Sequence, residues 1–196
     1  MNPSVSFPFS GAILAGGRSS RMERDKAFLP IAGQPLIARQ AALLRSLGTD
    51  DLIISGRPDT DYAIPHARLV HDPIPDAGPL AGLVAVLSAA HHPWVLVLAV
   101  DLPHLTPAFL RSLLHSGAGR TGIVPRTAYG WEPLAALSPR TLLPAAEAAL
   151  RSGRYSLQPF IDQAEHSGTI RRLLVPSENH ALFTNWNSPE DLPASS

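Results

Sequence analysis

Apolar residues in this chain come as short runs separated by stretches in which they recur every three or four positions. Residues 12–14 are a short apolar run ending at Gly16-Gly17, which predicts a first strand closed by a glycine turn. Over residues 35–47, Leu36, Ile37, Leu43, Leu44 and Leu47 keep helical spacing, with Gln40 as a polar interruption. Pro35 suits the first turn of that helix, and Gly48 sits where a left-handed residue would end it. Runs at 52–54 and 69–70 predict two more strands, and residues 80–90 a helix stopped by His91-His92-Pro93. Residues 94–100 (WVLVLAV) are apolar throughout, as expected of a central parallel strand covered on both faces. Beyond it, the pattern predicts helices over 107–115, 141–151 and 156–164, with strands over 122–124, 134–137 and 170–175. Ser188-Pro189-Glu190-Asp191 reads as a helix start, with Ser as cap, Pro in the first turn and two acids at the positive dipole end. Alternation of this kind predicts an α/β fold, Rossmann-like, with a mostly parallel sheet between helical layers. We expect one domain over residues 1–196, with its ordered core at about 9–192.

Composition narrows the function classes. The chain has 196 residues, 45% of them hydrophobic, and a formal net charge of zero from 16 basic and 16 acidic residues. No global field recruits nucleic acid or an anionic membrane, so any anion binding must be local. Cysteine is absent, which removes disulfides and thiolate zinc sites. No apolar run reaches the ~18 residues of a membrane span, and the N-terminal stretch has no basic region of the secretory kind. These features lead us to expect a soluble cytoplasmic protein. The 20 prolines are scattered, so they read as turn and helix-start residues.

Against this low charge, one stretch stands out: GAILAGGRSSRMERDKAFLPIAGQPL, residues 11–36. The glycine turn is followed by Arg18, Arg21, Arg24 and Lys26. Backbone donors of a glycine turn beside concentrated positive charge make an anion site. A tight turn with solvated surface charges fits the local composition equally well. The spacing excludes the dinucleotide fingerprint G-x-G-x-x-G and, with it, a nicotinamide oxidoreductase; it also excludes the P-loop. Asp101 follows the apolar strand at 94–100. Ligands of open α/β sheets gather at the carboxyl ends of strands, and a carboxylate there suits magnesium, although a turn or helix-cap aspartate would also stand in this position.

Four blocks together carry a resemblance. LAGGRSSRMERDK resembles the signature of the molybdenum cofactor guanylyltransferase family, with Leu14, Ala15, Gly16, Gly17, Ser19, Arg21, Met22, Asp25 and Lys26 matching. HDPIPDAGPLAGL, LAVDLP and FTNWNSPEDL resemble that family's later blocks, in the same order. The resemblance implies a nucleotidyltransferase fold of the glycosyltransferase-A-like type. It also implies transfer of GMP from GTP to the terminal phosphate of molybdopterin, with release of pyrophosphate. The nucleophile then belongs to the substrate, and no serine or cysteine catalytic set is required.

Residue by residue, the resemblance implies that Lys26 and Arg21 neutralise phosphate charge and that Asp101 holds Mg2+. Leu14, Ala15, Gly16 and Gly17 would line the guanine pocket with Gly78, Pro79 and Leu80. Asp72 matches a nucleotide contact, and Ser55 falls where many relatives carry an asparagine touching the nucleotide. Asn185 and Asn187 would face the active site, although they also read as helix caps. Asp25 would steady Lys26, His104 would sit on the rim, and Arg18 and Arg24 fall at variable positions of the motif. Glu23 departs from the pattern, standing where the family usually has glycine. The implied partners are GTP and the molybdenum cofactor, with molybdoenzymes or other cofactor-biosynthesis proteins as candidate protein partners. A related transferase using CTP or a sugar phosphate, and a GTP-binding adapter without catalysis, remain as alternatives.

Overall fold

The computed structural model describes residues 7–16, 25–117 and 121–186. In chain order the first half contains β1 (Ser10–Leu14), the short pair β2 (Pro30–Ile31) and β3 (Gln34–Pro35), and α1 (Leu36–Ser46). It continues with β4 (Asp51–Ser55), β5 (Ala67–Val70), α2 (Pro79–Ala89) and β6 (Trp94–Ala99). The second half contains α3 (Pro107–Gly117), β7 (Gly122–Thr127), β8 (Gly130–Trp131) and β9 (Ala135–Pro139). It ends with α4 (Leu143–Arg151), α5 (Leu157–His166) and β10 (Ile170–Leu174). Short 3-10 turns stand at Lys26–Phe28, Arg140–Leu142 and Ser177–Phe183.

The main sheet runs in the order β10-β7-β9-β6-β1-β4-β5, with β8 paired to β7. β1, β4, β5 and β6 are parallel, and so are β7 and β10. β9 runs against both β6 and β7. Strand alternation sends successive side chains to opposite faces. Leu96 and Leu98 of β6 thus join one core with α1 and α3, while Val95 and Val97 join the other with α2, α4 and α5. The protein is therefore a three-layer α/β/α structure with a mostly parallel central sheet.

Local chemistry explains where the elements begin and end. Gly48, at φ +94°, supplies the left-handed residue after α1. Pro35 caps α1 from outside, so the helix opens at Leu36, one residue later than the pattern suggests. Gln40, the polar residue on the apolar face of α1, is buried. The strand at β7 continues to Thr127 through Pro125, which contributes only its carbonyl, accepting from the Glu132 N–H at 2.9 Å. The helix start expected at Ser188 lies outside the described residues.

Candidate functional site

Register brings the motifs to one edge. Leu14 of β1 pairs with Ser55 of β4 and Ala99 of β6, and Ser55 pairs with Val70 of β5. This row is the last of the ladder. Two residues further along three of these strands come Gly16, Asp72 and Asp101. They therefore gather beyond the carboxyl ends of the parallel strands, where open α/β sheets bind ligands.

A cleft of about 520 Å³ occupies this edge, a size usual for small-molecule sites. Leu14, Ala15, Gly16, Ser55 and Asp72 line it on the β1–β4 side. The start of α2 contributes Gly78, Pro79 and Gly82. Lys26 and Asp101 line it together with Asp25, Asp76, Val100 and Leu134.

Leu80 does not line the cleft. It is fully buried in the core beneath α2. The helical period accounts for this: residues 79 and 82 share one side of α2, and Leu80 turns toward the sheet. Gly82 takes the place in the cleft expected of Leu80. A Cβ at Gly82 would lie 3.2 Å from Ser55 Oγ and 3.3 Å from Leu14 Cδ2, so the absence of a side chain widens this wall.

The polar atoms are arranged as follows. Ser55 Oγ donates to Asp72 Oδ1 at 2.7 Å. Asp72 Oδ2 faces Gly16, at 3.7 Å from where a Cβ there would stand. Lys26 Nζ lies 3.4 Å from Asp101 Oδ2, and both side chains are 21% exposed. The Asp25 carboxylate accepts from the Ala27 N–H at 3.0 Å, capping the 3-10 turn that carries Lys26. Asp25 thus steadies Lys26 through the backbone of that turn. Among the described residues its Oδ2 is buried without a hydrogen-bond partner. Among the described residues lining the cleft, four carboxylates (Asp25, Asp72, Asp76 and Asp101) face the single ammonium of Lys26.

The loop carrying Asp101 is tied down from three sides. Val100 N–H donates to Leu14 O at 3.1 Å, and Trp186 N–H donates to Asp101 O at 3.0 Å. Gln40 Nε2 donates to Leu102 O at 2.8 Å, and Arg39 Nε to Pro103 O at 3.1 Å. His104 packs edge-on against Trp186 and accepts from its indole N–H at 3.3 Å. Asn185 is exposed and does not line the cleft; its neighbour Trp186 makes the connection to Asp101. Gly17, Arg18, Arg21, Glu23, Arg24 and Asn187 lie outside the described residues.

The cleft residues that sequence reasoning missed are Asp76, Ala99, Val100 and Leu134. Ala99 and Val100 could have been found, because they directly precede Asp101. Leu134 reaches the site only through tertiary pairing, its carbonyl accepting from Ala99 N–H at 2.7 Å.

Residues 11–168 match the family model described as a MobA-like NTP transferase domain. A probable molybdenum cofactor guanylyltransferase of Opitutus terrae is 40% identical over 93% of this chain and 92% of its own. A molybdenum cofactor guanylyltransferase of Pseudomonas putida is 39% identical over 97% of this chain and 98% of its own. The chain belongs to this family. Among solved structures, the molybdopterin-guanine dinucleotide biosynthesis protein A of Archaeoglobus fulgidus superposes with a TM-score of 0.71 at 22% identity. It covers 93% of this chain and 94% of its own length, so the two share the fold. The family and its fold are therefore as the sequence suggested.

Proposed function

We propose that this protein transfers GMP from GTP to the terminal phosphate of molybdopterin, releasing pyrophosphate. The observation that carries the reading is the register row that gathers Gly16, Asp72 and Asp101 at one strand edge beside Lys26. It does so in a chain that is about 40% identical along its length to molybdenum cofactor guanylyltransferases. An oxygen of the acceptor phosphate attacks the α-phosphorus of GTP. The bond from that phosphorus to the bridging oxygen breaks, and pyrophosphate leaves with the electron pair. The protein's work is alignment and neutralisation of charge.

Asp72 and Ser55 form the base-reading end of the cleft. Guanine presents adjacent N–H and NH2 donors, which a carboxylate accepts side by side. Cytosine offers no such pair: its one amino donor stands beside two acceptors. The Ser55 hydroxyl occupies Oδ1 and orients the carboxylate, leaving Oδ2 turned toward Gly16. Lys26 serves the phosphates as a point charge. Arg21 serves as a second phosphate clamp.

The donor set fits Mg2+. This ion takes one or two carboxylates and completes its shell with waters and phosphate oxygens. Asp101 would hold it, with Asp25 Oδ2, which has no partner among the described residues, on the same cleft as a further oxygen donor. The ion would supply charge to the phosphate oxygens. Four carboxylates beside one lysine make a divalent cation a natural complement to a triphosphate. The same reading places the work in the cytoplasm, with molybdoenzymes as recipients of the product.

The deciding measurement is pyrophosphate release from GTP and from CTP, with molybdopterin as acceptor and Mg2+ present. Release from GTP well above CTP supports the reading. Preference for CTP would assign the chain to another transferase of the same fold. GTP binding without release would make it an adapter.

A further inference from the structure

Beyond Asp101, on the β9–β7–β10 half of the same edge, stands a second carboxyl group that the nucleotide cleft does not use. Glu132 lies in the stretch entering β9, two residues before Leu134, which lines the cleft. Because β9 runs against β6 and β7, this stretch lies at the same edge as Asp101, two residues beyond β6, and Thr127, which ends β7. The Thr127 hydroxyl is within 3.3 Å of Glu132 Oε1 and equally near Gly130 O. Glu132 Oε2 has no hydrogen bond among the described residues. Burial pushes the Glu132 carboxyl up from its ordinary value; the Thr127 hydroxyl and the charge of His180 work against this. Oε2 is open to solvent, so a ligand can use it without displacing a protein donor.

Two rings are linked to this carboxyl: Tyr129 N–H donates to the same Thr127 hydroxyl at 3.2 Å, and the charge of His180 acts on Glu132. Tyr129, at the tip of the β7–β8 turn, is 89% exposed, and its ring meets that of His180 edge-on at 5.6 Å. Leu174, at the end of β10, is 70% exposed. His180 is anchored to Val175 O at 3.2 Å, and six residues later Trp186 N–H reaches Asp101 O. The patch is thus joined to the reaction centre by one short segment. Flat rings beside a recessed carboxyl suit a planar heterocycle with adjacent N–H and NH2 donors.

We propose that Glu132, with Thr127, Tyr129 and His180, binds the 2-amino-4-oxopyrimidine edge of the pterin acceptor. The proposal rests on the guanylyl-transfer reading above. Guanine and a pterin share this donor edge, and the protein offers one carboxylate for each: Asp72 on the β4–β5 side of Asp101 and Glu132 on the β9–β7 side. An acceptor held at Glu132 has its phosphate on the side of Asp101 away from the base pocket, as attack on the α-phosphorus requires. The Thr127 hydroxyl orients Glu132 much as Ser55 orients Asp72.

Steady-state pyrophosphate release by wild type, Glu132→Gln, Tyr129→Ala and Asp72→Asn tests this, with GTP and molybdopterin varied in turn. Glutamine keeps the shape and the Thr127 contact but offers one acceptor where the carboxylate offers two. For Glu132→Gln we expect the acceptor KM to rise at least tenfold, with the GTP KM and the calorimetric GTP Kd within twofold of wild type. Tyr129→Ala, which removes an exposed ring, raises the acceptor KM about threefold. Asp72→Asn does the reverse, raising the GTP KM and sparing the acceptor. An acceptor KM within twofold of wild type in Glu132→Gln overturns the proposal while leaving guanylyl transfer standing. So does an equal rise in both KM values. Failure of the guanylyl-transfer reading looks different, because wild type itself would then release no pyrophosphate from GTP.

Discussion

Lys26 and Asp101 sit 3.4 Å apart, 75 positions distant in the chain, and each is partly open to the cleft. An ion pair this long between partly solvated groups contributes little to stability. Under the proposed guanylyl transfer, its value lies in holding a positive and a negative charge where phosphates and a cation would meet. Lys26→Ala is expected to lower kcat/KM for GTP on the order of 100-fold with little change in melting temperature. A loss under about threefold would remove Lys26 from the machinery. Asp101→Ala is expected to abolish Mg2+-dependent transfer, and unchanged turnover would refute the metal assignment. Both residues were legible in the sequence, because each stands in a motif next to a run of strand-forming residues. Gly82 was less so. Gly82→Ala should stabilise α2 by up to ~1 kcal/mol, since its φ is not left-handed. The new Cβ nonetheless crowds Ser55 Oγ, whose bond to Asp72 fixes it in place. We expect that crowding to cancel the helix gain in melting temperature and to weaken GTP binding roughly fivefold, read by thermal denaturation and calorimetry on the same sample.

At the scale of elements, most of the fold was legible because strands and helices differ in apolar period. Residues 94–100 and 80–90 are long and unbroken enough to declare their type. The pairs β2–β3 and β8 were not legible, since strands of two residues carry no period. The direction of β9 was equally hidden: it follows from pairing with β6 and β7, which no local pattern encodes. That direction is what delivers Leu134 to the cleft and Glu132 to the same edge of the sheet. Gln40 read from the sequence as an interruption, and the structure gives its reason. On the buried face of α1 it spans to the loop after β6, donating to Leu102 O at 2.8 Å. Among the described residues its Oε1 is buried without a partner, a cost retained for the sake of that donor. Gln40→Met keeps the volume and removes the donor, so the Asp101 loop loses one of its ties. We expect kcat to fall on the order of tenfold, since small displacements of a reacting group are costly, with the GTP KM within twofold. A change confined to melting temperature would make Gln40 purely structural.

Over the whole molecule, polar groups at the two edges of the sheet behave in opposite ways. At the amino edge, Asp51 is 5% exposed and saturated. Ser10 Oγ donates to it at 2.6 Å, Arg68 Nη2 at 2.6 Å and His91 N–H at 2.9 Å. At the carboxyl edge, Asp25 Oδ2 and Glu132 Oε2 are left without protein donors among the described residues. One edge stores stability and the other keeps acceptors in reserve for a ligand, and each has its own response to pH. Burial raises the Asp51 carboxyl, but the donors from Ser10, His91 and Arg68 outweigh it and hold the folded value below 3.8. A depressed carboxylate contributes its stability above the unfolded value and loses it as pH falls through the folded one. Glu132, raised by burial, has the opposite sign: its cost grows as pH rises through the usual carboxylate range, and acid relieves it. Asp51→Asn should therefore cost about 2 kcal/mol at pH 7, discounted for the partly exposed Arg68. Below about pH 4 the variant should lose less stability with further acidification than wild type, whereas Glu132→Gln should steepen that limb. Denaturant unfolding between pH 7 and pH 3 reads both slopes, and parallel acid limbs in wild type and Asp51→Asn would show that the amino edge does not carry the acid sensitivity.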